Sequence, residues 1–491
     1  MVFAVVGFLA LAAFVATLLR PQFGAYLWLL ANPLVVGIAR GDYLPVLRPN
    51  EALLLLIVAA LATRAVLLEL AGHPLRIRFD QIDLVLILLA VTSSILPMLM
   101  RYGRGLPVSQ DDILYAFVLW KYYVLFRVFR GTVTTVGQVA TCLWISLASG
   151  LVVALVGLMQ VWNLFGVPEF LHTYYDNPFE GHSGVLTERG TSTISSSFGF
   201  ADLMIMNLVI AAAMVHGRFG GTGRLALAGA LFLAGCIAAG AFSGFIALAV
   251  AMLAFGLITK RLVQMLLLGT PAAIAAVVAL WPVVSKRMSG FERPEGVPHS
   301  WTGRWANLET FFFPELLSGL NWLVGVRPAP RVPAPETWRE YVYIESGYVW
   351  LFWIGGVPLF AAFLLFLWVS GRHLLKVVRA RADEVSVAAT ATLAFLCVMA
   401  VLMLLDPHLT VRGSADLFFP LLALSLVRPR DAVATRPAER SPLPQPMAYR
   451  MRPSAPGRRG APAAGTIRAA VRPAARNPAL PWNRTGPPGG G

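Results

Sequence analysis

The sequence predicts an all-α fold: a polytopic integral membrane protein of about thirteen transmembrane helices with one large extracytoplasmic loop. Three observations predict it. Of 491 residues, 57% are hydrophobic and only 13% are charged, a balance far from that of a soluble domain. Apolar runs recur along the chain at lengths near the ~20 residues a helix needs to cross the hydrocarbon core. One long polar stretch, residues 285–343, interrupts the pattern and carries most of the polar groups that could do chemistry at a membrane face.

The expected spans, in order, are 1–19, 23–39, 51–71, 82–100, 111–129, 135–163, 197–216, 224–241, 243–259, 262–284, 344–370, 386–405 and 413–427. The first lacks a basic start and a small-residue cleavage site, so it reads as a retained helix. The 135–163 run is long enough to tilt or to emerge from the bilayer. The last is short and holds Asp416 and Pro420. Basic residues flank alternate connections: Arg76 and Arg78, Arg127 and Arg130, Arg218 and Arg224, Lys260 and Arg261, and Arg372 to Arg381. Short basic connections face the cytoplasm. This puts the N-terminus outside, the C-terminal tail inside, and two sizeable segments outside, 165–196 and 285–343. The membrane domain is thus 1–427.

The tail, 428–491, holds twelve arginines against Asp431 and Glu439, and so carries ten of the net +15. The basic pI therefore gives no argument for nucleic-acid binding by the main body. Rich in Pro, Ala, Gly and Arg without periodicity, the tail is expected to be disordered. Beside a membrane it suits anionic lipid; a solvated tail without a specific role is the alternative. Cys142, Cys236 and Cys397 each fall inside an apolar run, which shows neither a disulfide framework nor metal-ligand spacing.

Four polar constellations stand out. Arg189-Gly190-Thr191 followed by Ser192, Thr193, Ser195, Ser196 and Ser197 lies just before a span. An arginine with hydroxyls and a helix N-terminus behind it suits a phosphate oxyanion; equally, Arg189 snorkels to the interface and the hydroxyls cap the helix. Gly240-Ala241-Phe242-Ser243-Gly244-Phe245 reads as a tight small-residue turn. In the long loop, Ser300 to Leu308 reads as an amphipathic interfacial segment with Trp301, Trp305 and Arg304, while Val326 to Thr337, with four prolines, reads as irregular. At the loop exit, Tyr341, Glu345 and Tyr348 recur at helical spacing. Glu345 there is either a general base for a hydroxyl nucleophile or the partner of Arg339 or another loop arginine. Finally, Asp406-Pro407-His408-Leu409-Thr410-Val411-Arg412 is either an ordinary polar turn or the completion of a site.

The order and spacing of these pieces resemble the O-antigen ligase/polymerase family, over roughly residues 140–425. The family's Arg-Gly-Thr segment is similar to Arg189-Gly190-Thr191 through Phe198-Gly199. Its Ser-Arg-Gly-Ala break resembles Ser243-Gly244-Phe245, without the arginine. Its Gly-Arg-x-x-x-Trp segment is similar to Gly303-Arg304-Trp305. Its loop exit resembles Glu345-Ser346-Gly347-Tyr348-Val349 followed by Ile354-Gly355-Gly356-Val357-Pro358. Glu345 and Ser346 stand where the family has His and Asn.

The resemblance implies a metal-independent membrane glycosyltransferase without a cofactor, in the bacterial cytoplasmic membrane. It would polymerise or transfer a glycan carried on undecaprenyl pyrophosphate, at the outer face. Polymerase is favoured over ligase because donor and acceptor then come from the same chain type. Arg189, Arg304, Arg339 and Arg412 would hold the pyrophosphate. Glu345, or His408, would take the acceptor proton, and Tyr348, Trp305 and Ser346 would line the substrate. Partners would be the undecaprenyl-pyrophosphate-linked oligosaccharide, membrane lipid and other polysaccharide export or assembly proteins. The alternatives are a polysaccharide or lipid-glycan transporter, which expects ionisable residues deep within spans, and a non-catalytic envelope-assembly protein.

Overall fold

The computed structural model describes residues 2–41, 43, 47–73, 79–175, 189–292, 299–334 and 341–428. Residues 429–491 of the disordered tail expected at 428–491, the 176–188 part of the first polar segment, and Arg76, Arg78 and Arg339 lie outside the described residues. Among those described, eight helices are long and apolar enough to cross a membrane. They are Pro49–Leu70, Gln81–Gly103, Val136–Val161, Ser197–Gly217, Phe242–Thr259, Leu262–Ala279, Gly347–Ala380 and Glu384–Leu402. Val5–Leu19, Thr222–Ala238 and Ala415–Leu424 are shorter apolar helices. The chain has the architecture of a mostly helical, multi-pass membrane protein.

Several expected spans are cut short, each for a local reason. The 23–39 run ends as a helix at Val35, with Pro33 in its last turn, where the missing N–H and the ring weaken the preceding turn. The 111–129 run divides at Phe117 into Gln110–Ala116 and Val118–Thr132. The second piece carries Lys121, Arg127 and Arg130, charges that a helix admits at membrane depth only when partnered. The 262–284 run stops at Ala279, and Trp281–Met288 is a separate short helix.

Helix starts follow capping chemistry. Asp80, Thr135, Ser196 and Asp383 each accept a backbone N–H of the helix that follows, satisfying a donor with no intrahelical partner. Three of the basic residues that set the orientation, Arg127, Arg130 and Arg381, have partners. Arg127 and Arg130 reach Asp83 at 2.9 and 2.8 Å, Arg130 also meets Asp80 at 2.7 Å, and Arg381 donates to the Val427 carbonyl at 2.8 Å.

The long connection gathers at one end of the bundle. It consists of Trp281–Met288, His299–Asn307, a π-turn at Leu308–Phe312, Phe313–Leu316, Asn321–Val324, and an antiparallel pair of strands, Arg331–Pro333 with Tyr341–Tyr343. The backbone expected to be irregular over 326–337 is irregular at 326–330 and a strand at 331–333, with Val332 opposite Val342, while 335–337 lie outside the described residues. Phe312 packs edge-on against Trp353 at 5.1 Å, the Trp353 indole donates to the Ala329 carbonyl at 3.0 Å, and Val326 N–H donates to the Trp353 carbonyl at 2.6 Å. These contacts sew the connection into the helix that follows it.

That helix, Gly347–Ala380, breaks at Gly356 (φ 62°, ψ −154°), two residues before Pro358. A Cβ at Gly356 would sit 2.3 Å from the Leu323 carbonyl oxygen, and one at Gly325 would sit 2.5 Å from that of Ile354. The kink and the loop thus interlock backbone to backbone, a fit only glycine permits. Ser346 caps this helix and Glu345 precedes it, whereas Tyr341 is in a strand. The expectation of a shared helical face for Tyr341, Glu345 and Tyr348 is corrected accordingly.

Candidate functional site

The turn 406–413, between Glu384–Leu402 and Ala415–Leu424, is the hub of this end. Its residues reach in different directions and tie together segments that are distant in sequence. Asp406 accepts from Arg304 Nη1 at 3.0 Å, and the Leu405 carbonyl accepts from the same nitrogen at 3.2 Å. His408 Nδ1 meets Asp202 Oδ2 at 2.6 Å, with both side chains at most 1% exposed. Tyr122 donates its hydroxyl to the Thr410 carbonyl at 3.2 Å.

Arg304 sits between two carboxylates. Beside Asp406, its Nε lies 3.9 Å from Glu345 Oε1, and Glu345 Oε2 accepts from the Asn307 amide at 3.4 Å. Arg304, Asn307 and Glu345 are thus brought to one place by the amphipathic helix His299–Asn307 and the loop exit. Trp305, on the same helix, is largely exposed and packs edge-on to Phe313 at 5.8 Å.

Arg189 and Arg287 complete this cationic centre. Gly190 N–H donates to the Ala238 carbonyl at 2.7 Å, and Arg287 Nε donates to the Gly240 carbonyl at 2.6 Å. Gly240 adopts φ +57°, and a Cβ there would meet Val283 at 2.8 Å and the Arg189 Cβ at 3.4 Å. The small-residue turn 240–244 is therefore the platform on which two arginines converge. Burial, with Arg287 and Arg304 as like-charged neighbours, pushes the Arg189 pKa down to about 9. It remains cationic at neutral pH, and a negatively charged ligand would relieve the repulsion.

The hydroxyls after Arg189 serve structure. Ser192 donates to the Val153 carbonyl, Thr193 to that of Pro33 and Ser195 to that of Gly37, while Gln160 receives the Thr191 and Ser192 N–H groups. All four hydroxyl residues are buried. Tyr348 likewise points away from Glu345, donating to the Ala400 carbonyl at 2.8 Å and packing edge-on against Phe360 and Phe363. Ser346 is nearly buried, with its hydroxyl toward the Val349 N–H.

His408 is in the turn, but both its ring and the Asp202 carboxylate are enclosed, and His408 Nε2 and Asp202 Oδ1 are buried without a hydrogen-bond partner. Burial alone would lower the His408 pKa; the charge and hydrogen bond of Asp202, with Asp406 nearby, reverse this and leave it raised. Asp406 is itself raised by burial, against the pull of Arg304 and His408. Arg412 is near enough to Arg48 to act on its charge. Arg327 and Arg331 find protein carboxylates: Arg327 Nε meets Asp112 at 2.8 Å and Arg331 meets Asp111 at 2.6 Å.

Reasoning from sequence missed Arg287, Asn307 and Asp202 as members of these clusters. Arg287 and Asn307 carried a signal, lying in the polar loop within reach of Arg304. Asp202 carried one too, as an acid one turn inside an apolar span. Comparison of the chain with family models, with curated proteins and with solved structures gives no match.

Proposed function

We propose that this protein is a membrane glycosyltransferase that moves a glycan from a polyprenyl pyrophosphate carrier to an acceptor hydroxyl, at the extracytoplasmic face of a bacterial cytoplasmic membrane. The observation that carries the reading is the convergence of Arg189, Arg287 and Arg304 at the end of the bundle where Glu345 is held 3.9 Å from Arg304. Arg189, buried and within the fields of Arg287 and Arg304, makes with them a cationic group that suits a polyanion. A pyrophosphate leaving group is one, and its charge grows as the glycosidic C–O bond breaks.

In this reading the acceptor oxygen attacks the anomeric carbon and the bond to pyrophosphate breaks. The electron pair leaves with the pyrophosphate oxygen, onto the arginines. The acceptor proton passes to Glu345, whose second oxygen is oriented by Asn307. Asp406 acts behind Arg304 as a positioning residue. His408 is enclosed, so Glu345 is the better candidate base. Repeated transfer to a growing chain makes polymerase the favoured form.

A second reading, transport, is favoured by one observation: Lys121 and Asp416 form a 3.0 Å ion pair, with Asp416 buried, between Val118–Thr132 and Ala415–Leu424. One experiment separates the two. The purified protein is given a synthetic polyprenyl-pyrophosphate oligosaccharide. Release of polyprenyl pyrophosphate with glycan elongation supports transfer; movement of the intact lipid-glycan across a vesicle supports transport; neither result would refute both.

A further inference from the structure

Four helices, Gln22–Val35, Val136–Val161, Ser197–Gly217 and Ala415–Leu424, leave between them a cavity of about 10 Å³, room for one water-sized guest. Its polar lining includes Asn32, Ser146, Ser149, Asn207 and Asp416, each at most 4% exposed. These residues come from all four helices, so the cavity belongs to the core of the bundle and not to the arginine centre.

The hydroxyl hydrogens of this lining are committed to protein oxygens. Ser146 donates to Asn207 Oδ1 at 2.9 Å, and Ser149 donates to the Leu29 carbonyl at 2.9 Å. A hydroxyl whose hydrogen is spent offers only oxygen lone pairs. The Asn207 amide nitrogen donates to the Leu203 carbonyl at 3.0 Å, and Trp28 donates to the Asp416 carbonyl at 3.1 Å. The Asp416 carboxylate adds two more acceptors. Oδ2 receives the Gly413 N–H at 3.1 Å. Oδ1 is buried without a hydrogen-bond partner; Lys121 Nζ stands 3.0 Å from it as an ion pair that lacks hydrogen-bond geometry. The lining is thus rich in acceptors, and it suits a guest that brings positive charge.

Lys121 is not tied to Asp416 alone. Its Nζ lies 4.4 Å from the centre of the Tyr122 ring, and its side chain is 18% exposed while that of Asp416 is enclosed. The ammonium therefore has a second attraction, to the ring face, and its side chain reaches the surface of the bundle.

We infer that the cavity is a sodium-ion site, in which Na+ and the Lys121 ammonium compete for Asp416. Small hard cations take oxygen ligands, and the carboxylate, amide and hydroxyl oxygens here are of that kind. The single carboxylate sets the charge. It balances one unit, which Lys121 or a monovalent ion supplies and a divalent ion exceeds. With Na+ seated, Asp416 exchanges one cation for another, and Lys121 is released from the contact that joins Val118–Thr132 to Ala415–Leu424. The inference goes beyond glycan transfer and does not depend on it.

The test combines thermal melts with equilibrium binding of radiolabelled Na+, on the full-length protein in nanodiscs. N-methylglucamine chloride keeps the ionic strength constant. Na+ should bind as a single ion per chain and raise Tm by about 3 °C at a hundred times its dissociation constant. K+, a larger ion, should bind at least about fivefold more weakly. Lys121→Met removes the competitor and should tighten Na+ binding about tenfold or more, whereas a purely structural ion pair would only lose stability. Asp416→Asn should abolish binding. Ser146→Ala, which changes no charge, should weaken it about fivefold. Equal melting in the two salts with no Na+ bound overturns the inference and leaves a buried water as the guest. K+ binding as tight as Na+ also overturns it, as does Na+ binding unchanged by Lys121→Met or Asp416→Asn in a folded variant. If both charge variants fail to fold, Ser146→Ala decides, and unchanged binding there overturns the site. No glycan enters these measurements, so the sodium site and glycan transfer stand or fall separately.

Discussion

Asp202→Asn is the perturbation whose size follows most directly from the structure. The carboxylate meets His408 Nδ1 at 2.6 Å, with both side chains at most 1% exposed, so water screens little of the interaction. Breaking a buried charge pair by neutralising one partner costs about 3–5 kcal/mol. The asparagine oxygen can still accept from Nδ1, returning about 1 kcal/mol, which leaves a net loss of about 2–4 kcal/mol. With an unfolding entropy of about 2.1 cal/mol/K per residue over about 400 folded residues, this corresponds to a fall in Tm of about 2–5 °C. The pH dependence has a definite sign. The His408 pKa is raised in the folded protein, so the stabilisation is complete below the unfolded value of about 6.5 and is lost as pH rises through the folded one. Differential scanning fluorimetry in detergent between pH 6 and 9 checks this. The gap between wild type and Asp202→Asn should be widest near pH 6 and narrow toward pH 9. An unchanged Tm at pH 6, or a gap that does not vary with pH, would refute the argument for a charged dyad.

Other predictions concern the loop and the site. Arg327→Ala should remove the contacts of Arg327 with buried Asp112 and with Ser109, and speed backbone hydrogen exchange over 326–333 at least tenfold; unchanged exchange would mean that the aromatic contacts alone hold the loop. Gly356→Ala should destabilise by about 3 kcal/mol or more, because it adds left-handed strain to a 2.3 Å approach on the Leu323 carbonyl, and a near-wild-type Tm would count against the interlock. Glu345→Gln and Glu345→Ala should each lower kcat for transfer by 10²-fold or more with little change in donor KM, as loss of a general base does; full activity in both would remove Glu345 from the chemistry.

How much of this was legible in the sequence depends on range. The apolar runs, the basic connections and the long polar interruption are local, and they were enough for the class of fold. Arg304 and Glu345 were found because both mark an edge of the same loop. Asp202 and His408 are 206 residues apart, and no local pattern pairs them. The proline-rich stretch looked irregular because its strand partner, Tyr341–Tyr343, lies beyond several intervening residues. The hydroxyls after Arg189 looked ligand-like by type, yet their donors go to carbonyls at distant positions, which sequence does not reveal.

The central claim is that the arginine centre holds the pyrophosphate of a lipid-linked glycan during transfer. Release of polyprenyl pyrophosphate from a synthetic polyprenyl-pyrophosphate oligosaccharide, followed for wild type, Arg189→Gln and Arg304→Gln, tests it most directly. The account predicts release by the wild type coupled to glycan elongation, and a fall in kcat/KM of about 10²–10³-fold in each folded variant, the scale of losing one preorganised transition-state contact. Full activity in either variant, or no release by a folded wild-type protein, would contradict it.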